Sequence, residues 1–227
     1  MCSRYSLTSP PDAVRAYFGY RNTHDFPPRY NIAPTQPVAI VRLADDGGRE
    51  LALVRWGLIP SWAKDLSKLS TMINARAESA AEKPSFRGSL RHRRCLIPAD
   101  GFYEWMGVAG AKRPHLVRRK DGGMLAFAGL WEHWLGADGS EIDTMAILTT
   151  GSNVALSWFH DRMPALLEPE RFEPWLDCRA VRAEAAIDLL QPVAEDLLEV
   201  VEVSKLLNSP HNEGPAVQQP TGTQRLL

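Results

Sequence analysis

Cys2 follows Met1 directly. Removal of Met1 would leave an N-terminal cysteine, with a thiol and an α-amine on adjacent carbons. The amine has an ordinary pKa of about 7.7–8.0 and the thiol about 8.5, so near neutral pH a useful fraction of each is nucleophilic. Such a 1,2-aminothiol attacks an ester or amide as a thiolate, or condenses with an aldehyde through a Schiff base and closes to a five-membered thiazolidine. The second reaction is closed to Cys95 and Cys178, which lie inside the chain. The structural alternative is a cysteine buried in an edge strand.

Three further residues could serve that chemistry. Glu104 lies in Phe102-Tyr103-Glu104-Trp105, where desolvation between bulky neighbours would raise a carboxyl towards the range useful for general acid or base work. An outward-facing residue of an alternating strand is the plainer reading. His160, in His160-Asp161-Arg162-Met163-Pro164, has neighbours able to set the charge of a proton donor, or it is structural. Asn74 offers an amide to a developing oxyanion or a helix N-cap. Arg4, Arg76 and Arg162 each stand within two residues of one of these positions, and Trp62 and Trp105 are aromatic partners for them. Arginines for phosphates beside aromatics for bases are what single-stranded nucleic acid requires, although core packing is the default for tryptophan.

The elements that must position these residues read as antiparallel. Strands are expected over 38–43, 50–56, 93–99, 101–105, 115–119, 125–130, 144–149 and 198–203, with Asp45-Asp46-Gly47-Gly48 as a hairpin turn. Helices are expected at 13–18, starting within Met72–Glu78, and over 86–92, 169–176 and 181–190. The proline-rich run from Arg29 to Pro37 reads as an ordered loop, and 93–99 and 101–105 as strands flanking a kink. With no linker or repeat, residues 1–227 are expected to form one α+β domain, an antiparallel β-sheet core decorated by short helices, with a frayed tail from Gln218.

Composition excludes disorder, and no apolar run approaches the roughly 20 residues of a membrane helix. Three separated cysteines make no disulfide framework and fit a reducing compartment, so a cytoplasmic protein is expected. Scattered histidines support no metal site, and no cofactor is expected. Residues 1–164 carry 21 Lys+Arg against 16 Asp+Glu, and residues 165–227 carry 5 against 11. A basic front section suits a polyanion, while the acidic end also suits a solvated helical surface.

In order along the chain, Cys2-Ser3-Arg4-Tyr5, Arg29-Tyr30-Asn31-Ile32-Ala33-Pro34, Trp56-Gly57-Leu58-Ile59-Pro60-Ser61-Trp62 and Ile73-Asn74-Ala75-Arg76-Ala77-Glu78 form a recurring set of motifs. Arg94-Cys95-Leu96-Ile97-Pro98, Gly101-Phe102-Tyr103-Glu104-Trp105, Phe127-Ala128-Gly129-Leu130-Trp131, His160-Asp161-Arg162-Met163-Pro164 and Asn208-Ser209-Pro210-His211-Asn212 continue it. Together they resemble the SOS response-associated peptidase (SRAP) family, whose members sense abasic sites in single-stranded DNA. The resemblance implies a compact mixed fold around a barrel-like antiparallel β-sheet. It implies that Cys2 forms the crosslink with an abasic site, that Asn74, Glu104 and His160 surround it, and that Arg4, Arg76, Arg162, Trp62 and Trp105 hold the strand. The expected partner is single-stranded DNA containing abasic sites, bound by a monomer. Ser3 departs from the glycine usual after the cysteine, which matters if that position needs close DNA approach or an unusual φ. A different chemistry, a cysteine peptidase or N-terminal-nucleophile amidohydrolase with His160 as base, would explain the family's name and could remove Met1 autocatalytically.

Overall fold

The computed structural model describes residues 2–66, 69–108, 111–158, 160–191, 193–194, 196–222 and 225–226. Met1, whose removal is expected, lies outside them. The first half runs β1 (Tyr5–Leu7), α1 (Pro11–Phe18), β2 (Arg29–Ile32), β3 (Pro37–Leu43), β4 (Arg49–Trp56), β5 (Asn74–Arg76), α2 (Ala77–Ala80) and α3 (Arg87–His92). The chain continues through β6 (Arg94–Ala99), β7 (Gly101–Met106), β8 (Arg113–Arg119), β9 (Leu125–Leu135), β10 (Glu141–Gly151), α4 (Val154–Ser157) and β11 (Arg162–Pro164). It ends with α5 (Phe172–Leu176), α6 (Ala183–Asp188), β12 (Leu198–Glu202) and β13 (Arg225–Leu226).

Alternating apolar residues in β3 and β4 pair as the expected hairpin, Val38 opposite Val54 and Val41 opposite Leu51. Around it the order β10-β4-β3-β6-β9 closes on itself, because β9 also pairs with β10, which makes a five-stranded barrel. A second sheet runs β13-β12-β8-β7-β1-β2. One continuous apolar core, from Phe102 and Val117 of the sheet to Ile40, Phe127 and Leu148 of the barrel, joins the two. β6 lies in the barrel and β7 in the sheet, so the chain must turn sharply between them. Asp100 fixes that turn by accepting bonds from the Ser9 amide at 2.8 Å, the Ser9 hydroxyl at 2.6 Å and the Thr8 hydroxyl at 3.0 Å. Gly101 follows because a Cβ there would sit 2.7 Å from Leu116 and 2.8 Å from the Val117 carbonyl. The kink therefore ties the end of β1 to β7, which sets Cys2 beside Glu104.

The structure revises four local expectations. Asn74 does not begin a helix: it opens β5, which pairs in parallel with β10, Asn74 opposite Ile147 and Arg76 opposite Thr149. β10 also runs parallel to β4 at Thr144 and Met145, so the barrel is mixed rather than purely antiparallel. Helix propensity at Ala75 yields to the backbone bonds that a long central strand offers, and the helix starts only at Ala77, as α2. Arg29–Ile32, expected as loop, is a strand on the outer side of β1. Residues 218–222, expected to fray, are tied down: Gln218 Nε2 donates to Tyr103 Oη at 2.7 Å and the Thr221 amide to the Glu202 carbonyl at 3.0 Å.

Arg94 anchors the C-terminal helices from inside the core. It is 1% exposed, and it donates Nε to the Trp175 carbonyl, Nη1 to Leu90 at 3.1 Å, and Nη2 to Asp177 at 2.8 Å and Val181 at 2.9 Å. The buried charge is thus shared among four carbonyls. Arg94→Met should cost about 3–5 kcal/mol of stability in urea unfolding, because four carbonyls lose their donors at once. A loss below about 1 kcal/mol would show that water reaches those carbonyls instead.

Candidate functional site

Cys2 enters the fold just before β1 and is wholly buried. Its Sγ lies 3.6 Å from the Arg4 carbonyl, and Asn74 Nδ2 donates to the Cys2 carbonyl at 2.7 Å. That bond exists because β5 stands beside β10 and turns Asn74 towards the N-terminus. Asn74 Oδ1 is buried with no hydrogen-bond partner among the described residues, and so is Tyr5 Oη. Buried polar atoms of that kind mark where water or a ligand completes a site. Burial, and next the negative charge of Glu104, push the Cys2 thiol far above its ordinary range. Glu104 itself is buried on β7, directly across from His115 on β8. His115 Nδ1 lies 3.0 Å from the Arg113 carbonyl.

His160 stands just before β11, which pairs with the end of β10 that carries Thr149 and faces Arg76. The Arg162 amide donates to His160 Nδ1 at 2.9 Å, and Asp161 Oδ1 is 3.0 Å from the same nitrogen. Both cannot be satisfied by one protonation state. The amide is a fixed donor whereas the Asp161 side chain is 88% exposed, so Nδ1 serves as the acceptor of the Arg162 amide. The Ser152 hydroxyl donates to the His160 carbonyl and holds the turn.

The arginines and tryptophans fall into three places. Arg4 Nη1 donates to Asn31 Oδ1 at 2.6 Å and the Leu207 carbonyl at 3.0 Å, with its guanidinium 5.5 Å from the Trp105 ring centroid. Trp105 Nε1 in turn donates to Asn208 Oδ1 at 2.7 Å. Arg76 is exposed on β5, while Arg162 is turned inward to Thr149 and Glu78. Trp62 is 57% exposed and lines a separate cleft of about 250 Å³ with Pro84, Arg87 and Arg91. Asn74 and Glu104 are therefore gathered at Cys2, Arg76 and Arg162 stand at the neighbouring end of β10, and Trp62 stands apart.

Asn31 is a residue that sequence reasoning passed over. It is buried, and its Nδ2 reaches the Ser209 carbonyl at 2.9 Å and the Asn212 carbonyl at 2.8 Å while its Oδ1 holds Arg4. It thereby clips the segment 207–212 over the strand that leads to Cys2. The available signal was an asparagine beside Ile32 in the run that leads to Pro34. Ser3 has ordinary backbone geometry: among the described residues the non-glycine position with positive φ is Thr35, at 72°. Glycine is thus not demanded there by φ. Among the described residues no group of three or more His, Cys, Asp or Glu could hold a metal, and no helix is long and apolar enough to cross a membrane.

Residues 1–210 match the family described as SOS response associated peptidase (SRAP). The chain is 40% identical over 219 residues to the abasic site processing protein YoqW of Bacillus subtilis, an alignment covering 95% of this chain and 97% of that one. It is 31% identical over 259 residues to the abasic site processing protein HMCES of Xenopus tropicalis, covering 95% of this chain and 77% of the relative. A crystal structure of a Bacteroides thetaiotaomicron protein superposes with a TM-score of 0.85 at 28% identity, over 97% of this chain and all of the other. With the barrel, the flanking sheet and the enclosed Cys2 all in place, the chain belongs to the SOS response associated peptidase (SRAP) family.

Proposed function

We propose that the protein processes abasic sites in single-stranded DNA by forming a thiazolidine between Cys2 and the ring-opened sugar. The observation that carries this reading is the enclosure of Cys2 between Asn74, bonded to its carbonyl, and the charge of Glu104. The pushed-up thiol supports an order of events. A cysteine peptidase needs a thiolate, usually with its pKa lowered by a histidine or a helix terminus. Here burial and a carboxylate favour the neutral thiol, so the amine exposed by loss of Met1 is the leading nucleophile.

An abasic deoxyribose is mostly a closed hemiacetal. His160 Nε2–H donates a hydrogen bond to the ring oxygen while water relays the C1′ hydroxyl proton to that oxygen, so the sugar opens to its aldehyde with no net change in protons. Glu104 takes a proton from the Cys2 ammonium, and Asn74, anchored through Nδ2, holds the amine through Oδ1. The amine attacks C1′ and the carbinolamine loses water to an imine. Sγ then bonds to C1′ while the thiol proton passes to nitrogen. One water leaves and no electrons are exchanged, so no cofactor is required. The ring has no easy elimination path, which shields the strand from cleavage. Arg76, Arg162 and Arg4 supply phosphate contacts, and Trp105 and Trp62 supply stacking surfaces.

The test is a denaturing gel with intact-mass analysis of the protein, confirmed to lack Met1, mixed with single-stranded DNA bearing one abasic site. A slow band whose mass equals protein plus DNA minus one water, absent with Cys2→Ala, is the expected result. No such species from the mature protein would refute the reading and turn attention to peptide substrates.

A further inference from the structure

The geometry points to Glu78 as a built-in occupant of a phosphate seat made by Arg162 and Thr149, a carboxylate that a DNA backbone phosphate must displace. The inference rests on the proposed binding of single-stranded DNA, and it adds a competitor that the reading itself does not contain.

The seat is built from behind by β10. Arg162 Nη2 donates to the Thr149 carbonyl at 2.5 Å and lies 3.1 Å from its hydroxyl, and Thr149 is fully buried. This fixes the guanidinium plane. The fork is then closed by Glu78, with Nη1 to Oε1 at 2.6 Å and Nη2 to Oε2 at 3.0 Å. A guanidinium held this way presents two parallel donors, a geometry that suits the two oxygens of a carboxylate and the two non-bridging oxygens of a phosphate alike.

The asymmetry of exposure says which partner moves. The Arg162 side chain is 15% exposed and that of Glu78 is 56% exposed. Glu78 sits in the four-residue helix α2 and can swing outward by side-chain rotation alone. Arg76, two residues earlier on β5, is exposed and also draws on the same carboxylate, whose pKa is held below its ordinary range first by the Arg162 hydrogen bond. Glu78 is the exposed member of the pair, so a phosphate reaches the Arg162 fork by displacing it rather than by moving the arginine. The consequence is selectivity. A loosely held strand must compete with Glu78 for Arg162, while a strand fastened at Cys2 wins that competition.

Counterion release gives a readout that a merely structural role would not move. Each phosphate neutralised on a single strand contributes a slope of about −0.7 in log K against log salt. In the wild type an unfastened strand makes this contact only in the complexes where Glu78 has swung out, so it adds little to the slope. In Glu78→Gln the contact forms without that competition and the full contribution appears.

The experiment measures binding of an undamaged oligothymidylate by fluorescence anisotropy across a salt series, for wild type, Glu78→Gln, Glu78→Ala, Arg162→Gln and the Glu78→Gln/Arg162→Gln double variant, each checked by thermal melting. The two Glu78 variants are expected to bind about threefold tighter at low salt, with a slope steeper by about 0.7, and the double variant to match Arg162→Gln. Weaker or unchanged binding by folded Glu78 variants, with Arg162→Gln weakened, overturns the inference and leaves the phosphate contact standing. Unchanged binding by Arg162→Gln overturns the contact, and the inference with it.

Discussion

Cys2→Ser protein lacking Met1, mixed with an abasic single strand, yields a species that survives denaturation only after borohydride reduction, whereas the wild-type adduct survives without it. Serine keeps the α-amine and therefore the imine. It replaces the sulfur with a hydroxyl, a far weaker nucleophile at neutral pH, and the ring that traps the imine does not persist. In the wild type the sulfur is on the carbon next to the amine-bearing one, and well-oriented intramolecular partners reach effective molarities of order 10⁵ M or more. The unreduced adduct should fall by roughly 10²-fold or more in Cys2→Ser for that reason. Protein that retains Met1 should give no adduct that survives without reduction, since its amine stands on a carbon without a neighbouring thiol. Equal unreduced yields from the wild type and from Cys2→Ser would mean that the sulfur plays no part in the linkage.

The second large effect is a pair of opposite changes in Glu104→Gln. Burial is the first cause of the raised Cys2 thiol and the Glu104 charge is the second. Removing that charge leaves burial in place but lowers the thiol pKa. At a fixed pH the thiolate fraction rises, and alkylation of Cys2 by iodoacetamide in the absence of DNA should speed up, measured against Cys2→Ala as background. Crosslinking should move the other way. A positioned general base is worth about 10²–10⁴-fold, and glutamine cannot take the ammonium proton, so the crosslinking rate should drop by about 10² or more. Raising the pH deprotonates the amine without help, which should recover part of the loss and steepen the pH profile of the variant. Faster alkylation with unchanged crosslinking would remove Glu104 from the proton pathway while leaving its electrostatic effect intact.

Under the proposed mechanism, the conflict between those two effects makes a carboxylate beside Cys2 tolerable. A peptidase would lose its thiolate to such a neighbour. A site whose amine acts first needs only a thiol that reacts once the imine is formed, and a local proton acceptor helps the amine more than it harms the sulfur.

Residue patterns made some of this legible in advance. The hairpin of β3 and β4, the helix Pro11–Phe18, and the kinked pair β6 and β7 follow from local alternation, periodicity and turn residues. The motif series pointed to Cys2, Asn74, Glu104 and His160, and three of its segments meet around Cys2 and β10. Asn74 was legible as a residue type but not as a strand residue, because nothing in Ile73–Glu78 announces that β10 lies alongside. Arg29–Ile32 reads as loop for a similar reason: its pairing with β1 closes across more than twenty residues. Glu78 looks like an ordinary helix former until Arg162, 84 residues later, is placed against it.

The sequence by itself determined which chemistry is available: an aminothiol latent at Cys2, a carboxylate, an amide and an imidazole, and arginines to meet an anion. These are properties of residue types and short spacings, which local physics sets. Only the tertiary structure decided which arginine is paired with Glu78, which atom of Asn74 is left without a partner among the described residues, and which nitrogen of His160 meets the Arg162 amide. Such questions turn on contacts between segments far apart in the chain, where the closure of a barrel and the pairing of β5 with β10 override what each segment would do alone.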